Sequence, residues 1–237
     1  SYIFGQKNKS HEEKTASVNK HVADTGYIVN DIWSNADITT YQHKDNPKNI
    51  MISHRGTDVG AKSGKRDIQN DIAFSLGLGG HEGRFKRRKN RTDKIIKSLH
   101  DQHGGIDELH LSGHSLGGGT VNHTIANSRL VQKHLTSANT YNAAAHGIFS
   151  NGTSVSKAAK RRLSNKVTHH RIKGDVVSAG FLTNTPFGKV KTHGHKYNAG
   201  TKSKNIFKRL ISNHPLAIAK RHSEKSLDAH NLSNFTG

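Results

Sequence analysis

The 237-residue sequence contains no cysteine. That excludes disulfides, thiolate nucleophiles and zinc–thiolate sites, and it leaves the compartment open. Proline is scarce, at three residues, and no Pro-rich linker, internal repeat or low-complexity block divides the chain. Aromatic residues are few, 8 Phe, 5 Tyr and 1 Trp, and they do not interleave with the basic runs. This argues against binding single-stranded nucleic acid by base stacking. No segment resembles a signal peptide, and no run approaches the roughly 20 apolar residues of a membrane span. The chain is therefore expected to be soluble, at a membrane surface, or associated with a particle.

Acidic residues are also scarce. There are 17 Asp and Glu against 37 Lys and Arg, a formal net charge of +20. Such a surface attracts anions, and the candidate partners are an anionic membrane, nucleic acid or an acidic protein. The 19 histidines add charge below their usual pKa of about 6.5. Apolar residues make up only 31%, but they are grouped into runs from which a buried sheet can be built. One domain over residues 1–237 is the expectation at this length.

Residues 11–30 carry apolar positions near helical spacing. Residues 38–44 and 49–54 read as strands joined by the turn signal Asp45-Asn46-Pro47. An amphipathic helix is expected over 67–76, then a glycine-rich hinge, GLGGHEG. This hinge lacks the preceding strand that a phosphate loop requires. Residues 84–103 read as a basic helix anchored by Phe85, Ile95, Ile96 and Leu99. Beyond it come a strand at 108–112, a helix over 118–134 and a strand at 137–144. A basic helix over 154–163, a strand at 167–172, and a strand or loop over 187–198 follow, and the tail from 205 is helical in parts. Strands alternating with helices indicate an α/β fold, a mostly parallel central sheet with helices on both faces.

Residues 113–119 read GHSLGGG, so Gly113, Ser115 and Gly117 satisfy G-x-S-x-G. The pattern has a steric basis. A serine on a sharp strand-to-helix turn needs small neighbours two residues away, and the turn lifts its hydroxyl above the sheet. The next amide and the positive end of the helix then face a developing oxyanion. Here a predicted strand precedes the motif and a predicted helix follows it, as that chemistry requires.

Together with other segments the motif resembles the class 3 lipase family, which includes the fungal triacylglycerol lipases. ISHRGTD at 52–58 is similar to the family's oxyanion strand and TYNAA at 140–144 to the strand after the elbow. RIKGDVVS at 171–178 is similar to the loop carrying the catalytic acid, and AHNLSNF at 229–235 to the stretch around the catalytic histidine. The resemblance runs from about residue 38 to the C-terminus. It implies an α/β-hydrolase fold with Ser115 as nucleophile, Asp175 as acid and His230 as base, in the order such enzymes require. It also implies an oxyanion hole from Thr57 and the Leu116 amide, with Arg55 structural and paired with a carboxylate beneath the site. His214 and His222 are the rivals to His230. His114 is read as packing beside the turn, and Asp71 as a packing or Arg-pairing residue.

One feature departs from the family. The segment expected to form a lid, 77–92, is mostly cationic, which suits anionic lipid better than neutral oil. A solvated helix with no lid role is the equal alternative. No metal site is expected, because HGH at 193–195 and THH at 168–170 arise readily among so many histidines, and no cofactor is implied. The sequence thus points to a serine carboxylic ester hydrolase acting on lipids, of lipase or phospholipase A type. The alternative is a basic packaging or virion component on a lipase-like scaffold, binding nucleic acid or an acidic partner.

Overall fold

The computed structural model describes residues 10–56, 82–144, 156–173, 175 and 187–194. The expected helix at 67–76 and the C-terminal tail lie outside the described residues. The first helix, α1 (His11–Val22), starts at a reciprocal cap. The Ser10 hydroxyl accepts from the Glu13 amide at 3.1 Å, and the Glu13 carboxylate accepts from the Ser10 amide at 2.7 Å. Helix-like spacing in the sequence continues to residue 30, but the chain leaves the helix earlier. A 3-10 turn over Ala23–Thr25 ends at Gly26, with φ 76°. A Cβ there would lie 2.4 Å from the His43 ring. Beyond this turn Tyr27–Val29 forms an edge strand, β1, a tertiary pairing that overrides the helical spacing.

The hairpin strands are β2 (Ile38–His43) and β3 (Asn49–His54). After α2 (Glu82–His103) come β4 (Glu108–His114), α3 (Leu116–Asn127), α4 (Arg129–His134) and β5 (Leu135–Tyr141). The remaining elements are α5 (Lys157–Leu163), β6 (Val167–Ile172) and β7 (Lys189–His193). The helix expected over 118–134 is two helices. Ser128 leaves helical geometry, and its side chain accepts from the Val131 amide to cap the second. The strand expected at 137–144 stops at Tyr141, because Asn142 turns the chain with φ 40°.

The strands lie side by side in chain order, β1 to β7. The first two junctions are antiparallel, and those from β3 to β7 are parallel. The helices that link successive parallel strands, α2, α3, α4 and α5, contribute to one core against the sheet and so lie on one face. β3 shows how both faces are covered. Ile50 and Ile52 point into the main core with Ile95, Ile96, Leu99, Val121 and Ile125 from the helices. Met51, on the opposite side of the strand, packs with Tyr41, Val29 and α1's Val18. Each fully buried Ile or Leu contributes about 1.5–3 kcal/mol, so the main core dominates stability.

The four apolar anchors read for the basic helix are buried in α2. Residues 82–92 of the expected lid are the first half of this helix, docked through Phe85 and Arg88. No helix among the described residues is long and apolar enough to cross a membrane.

Candidate active site

The G-x-S-x-G segment lies between β4 and α3, at the C-terminal edge of the parallel strands. Ser115 holds φ 54° and ψ −123°, a backbone region that costs a non-glycine residue about 1–3 kcal/mol. Several contacts fix it there. Its amide donates to the Tyr141 carbonyl at 2.9 Å, and its carbonyl accepts from Ala144 at 2.8 Å and Gly119 at 3.0 Å. The residue is buried, at 4% exposure, and its side chain caps no helix amide. Leu116 opens α3 and is likewise buried. Its amide belongs to the first turn, where no intrahelical carbonyl is available.

The glycines are required by contact. A Cβ on Gly113 would lie 2.4 Å from the Gly117 carbonyl group, and one on Gly117 would lie 2.2 Å from the His54 carbonyl oxygen. Gly118 meets Ala143 at 2.7 Å in the same sense, which explains the small residues after β5. Gly56 approaches the elbow from the other side, its would-be Cβ 2.7 Å from the His114 carbonyl oxygen and 3.4 Å from the Ser115 Cβ. The Arg-Gly turn after β3 and the serine turn after β4 are therefore in direct contact.

Gly117→Ala tests this packing. In an ordinary first turn of a helix the change would stabilise by up to about 1 kcal/mol. Here the methyl group meets the backbone of His54 and Arg55, so a loss of more than about 3 kcal/mol is expected in a denaturant titration. An unchanged or raised midpoint would show that β3 and α3 are not in contact at this point.

Asp175 lies just past β6, one strand beyond β5 from the serine turn, at the same edge of the sheet. It is 1% exposed, and its amide donates to the Ile172 carbonyl at 3.2 Å. Its charge acts on Arg171, opposing the burial that lowers that guanidinium's pKa. The β5 and β6 ends are tied by Asn142, which the sequence reading passed over. Its amide donates to the His170 carbonyl and its side-chain oxygen accepts from the Ile172 amide, both at 2.9 Å. Thr57 and His230 lie outside the described residues, as do the rivals His214 and His222, and Asp71.

A buried cation under this region is Arg88. It is buried at 5% exposure on α2 and forms an ion pair with Asp37. It also donates to the Arg55 carbonyl at 2.8 Å and approaches the Thr120 hydroxyl of α3 at 3.5 Å. The Arg55 amide in turn donates to the Asp37 carbonyl at 2.9 Å. Besides Arg55, for which the resemblance implies a structural ion pair, the Arg88 guanidinium also bridges this strand end to the helix after Ser115. The signal was available, because Arg88 falls between Phe85 and Thr92 on the buried stripe of the helix.

Two histidines are locked in the neutral form. His54, at the end of β3, is 1% exposed, and its Nε2 lies 3.3 Å from the Thr92 hydroxyl. That hydroxyl already donates to the Arg88 carbonyl, so His54 donates through Nε2–H. Burial first, and the Arg88 charge second, push its pKa down to about 3. His169 is held between the Thr140 hydroxyl and the Phe187 carbonyl at 2.8 and 2.9 Å. Burial lowers its pKa to about 4. Neighbouring His170 lies 2.9 Å from His193, and no group of three or more ligand-type side chains gathers around a metal position among the described residues.

These buried rings predict acid sensitivity. Their folded pKa values lie below the unfolded value of about 6.5, so the folded state binds fewer protons between pH 3 and 6.5. Their contribution is complete above that window and is lost as pH falls through it. Melting temperature should fall steeply from pH 7 to 5, and His54→Gln with His169→Gln should flatten the slope. A double variant that keeps the full slope would assign it to other groups.

No family model matches the chain, and no curated protein sequence matches it. Among solved structures the chain is similar to the crystal structure of M37 lipase. The match has a TM-score of 0.55 and 14% identity, and it covers 97% of this chain and 82% of that one. The chain has a lipase-like fold. At this identity the likeness concerns the course of the backbone, and it agrees with the mostly parallel sheet whose edge carries Ser115.

Proposed function

We propose that the protein is a serine carboxylic ester hydrolase acting on lipids, built as one α/β-hydrolase domain related to the class 3 lipases. The observation that carries this reading is the backbone of Ser115. A serine held at φ 54°, ψ −123° between a parallel strand and a helix, with glycine contacts on both sides, is costly to maintain. Such strain persists where a side chain must be aimed.

In the proposed cycle the Ser115 hydroxyl attacks the ester carbonyl while His230 takes its proton, and Asp175 holds the imidazole in the required tautomer. The Leu116 amide and Thr57 donate to the tetrahedral oxyanion, each such donor contributing roughly 3 kcal/mol to lowering the barrier. His230 then protonates the leaving alcohol, and water attacks the acyl-enzyme to release the fatty acid. A packaging component without chemistry is the weaker reading, since such a scaffold gains nothing from a strained serine.

The deciding experiment is labelling with a fluorophosphonate, with the modified residue mapped by mass spectrometry. Stoichiometric modification of Ser115 is expected. Absence of labelling on folded protein, or labelling elsewhere, would overturn the proposal.

A further inference from the structure

Among the described residues the positive charge is not spread evenly. Residues 10–56, which form α1 and the first three strands, hold six Asp and Glu against five Lys and Arg. The helical layer on the other face is different. Every Lys and Arg of α4 and α5 is exposed, and neither helix contains an acidic residue. On α2 the exposed cations include Arg84, Arg87, Lys94 and Lys97, three or seven residues apart and so on one side of the helix. Of its described acidic side chains, Asp93 is engaged by Lys89 at 2.8 Å, and Asp101 lies in the last turn, past Lys97.

These helices form one continuous layer. α2, α3, α4 and α5 share a single core, and Arg162 of α5 reaches Gln132 of α4 at 3.4 Å. The outer face therefore presents one cationic surface along the flank of the sheet. From Arg84 to Lys97 it extends about 20 Å at 1.5 Å per residue. It runs away from the serine turn, beside which Phe85 packs on Gly119.

The direction of this surface identifies its partner. A bilayer lying against the flank would leave the edge bearing Ser115 facing sideways, along the membrane plane. The flank also lacks apolar anchors. The exposed large hydrophobic residues among the described residues are Ile28, Ile32 and Val190, none of them on α2, α4 or α5. Insertion into an interface depends on such residues. An extended polyanion met through its charges alone needs none. The absence of exposed aromatics from these helices favours a duplex backbone over stacked single-stranded bases.

We propose that the outer face of α2, α4 and α5 binds double-stranded nucleic acid through its phosphates, without sequence preference. This site is separate from the ester-hydrolysing one.

The test is fluorescence anisotropy of the full chain with a mixed-sequence DNA duplex of about two helical turns, over roughly 50–200 mM salt. A flank variant carries Lys94→Gln, Lys97→Gln and Lys133→Gln. A control variant with the same change in net charge carries Lys14→Gln, Lys20→Gln and Lys44→Gln. The flank variant should bind at least tenfold more weakly, with a log–log salt slope shallower by roughly 2 to 3. The control should stay within about twofold, and both variants should melt and label with fluorophosphonate like the parent. Equal losses in the two variants would reduce the effect to net charge and overturn the proposal, as would no loss in either. A flank variant that keeps duplex binding but loses binding to phosphatidylglycerol vesicles would overturn it in favour of a membrane face.

Discussion

Ser115→Ala is expected to lower kcat for a short p-nitrophenyl ester by roughly 10⁵-fold or more, to the background left by binding and the oxyanion donors. The melting temperature should stay within a few degrees of the parent, because the hydroxyl caps no helix amide and the backbone contacts of residue 115 are made by its amide and carbonyl. Ser115→Gly sharpens the argument. Glycine adopts φ 54° without the steric cost that serine or alanine bears there, so the glycine variant should be about 1 kcal/mol more stable than the alanine variant, and equally inactive. Comparable turnover by Ser115→Ala and the parent would remove the proposed nucleophile. A glycine variant no more stable than the alanine variant would remove the strain.

How far the sequence foretold these features depended on how local their causes are. The serine turn was legible because its glycines are dictated by contacts within and beside the motif, such as Gly113 against Gly117. The β2–β3 hairpin was legible from its turn residues, and the strand β6 from its boundaries at 167 and 172. Asn142 and Gly26 were harder. Each ends an element by adopting positive φ, and each does so because of a neighbour distant in sequence, His170 and Ile172 for one and His43 for the other. Composition counted 19 histidines but could not tell which would be buried. His54 and His169 alternate with half-buried positions on strands whose inward face only the sheet defines. Thr57 and His230 rest on the family resemblance.

The second large effect is expected at Arg88, which the sequence reading overlooked because charge was counted by runs and not by helix face. Its guanidinium joins Asp37 at the start of β2, the Arg55 carbonyl at the exit of β3, and Thr120 on the elbow helix. Arg55 and Gly56 lead directly into Thr57, and Gly56 already touches the serine turn. We therefore propose Arg88 as a positioning residue for the oxyanion donor. Arg88→Met would leave the Arg55 carbonyl without its charged donor and Asp37 without its pair. Removing one partner of a fully buried pair costs about 3–5 kcal/mol, and because Asp37 is half exposed a smaller loss, about 2–3 kcal/mol, is expected. A shift of the strand exit by a fraction of an ångström should also lower kcat by roughly ten- to a hundredfold, with KM little changed, since the oxyanion forms only after binding. Arg88→Lys keeps the charge but lacks the planar fork that reaches Asp37 and Arg55 together, so it should recover much of the stability and little of the kcat. Full recovery of kcat by lysine would show that charge alone suffices. A methionine variant that loses stability but keeps kcat, assayed where it is folded, would make Arg88 a structural residue with no part in aligning the site.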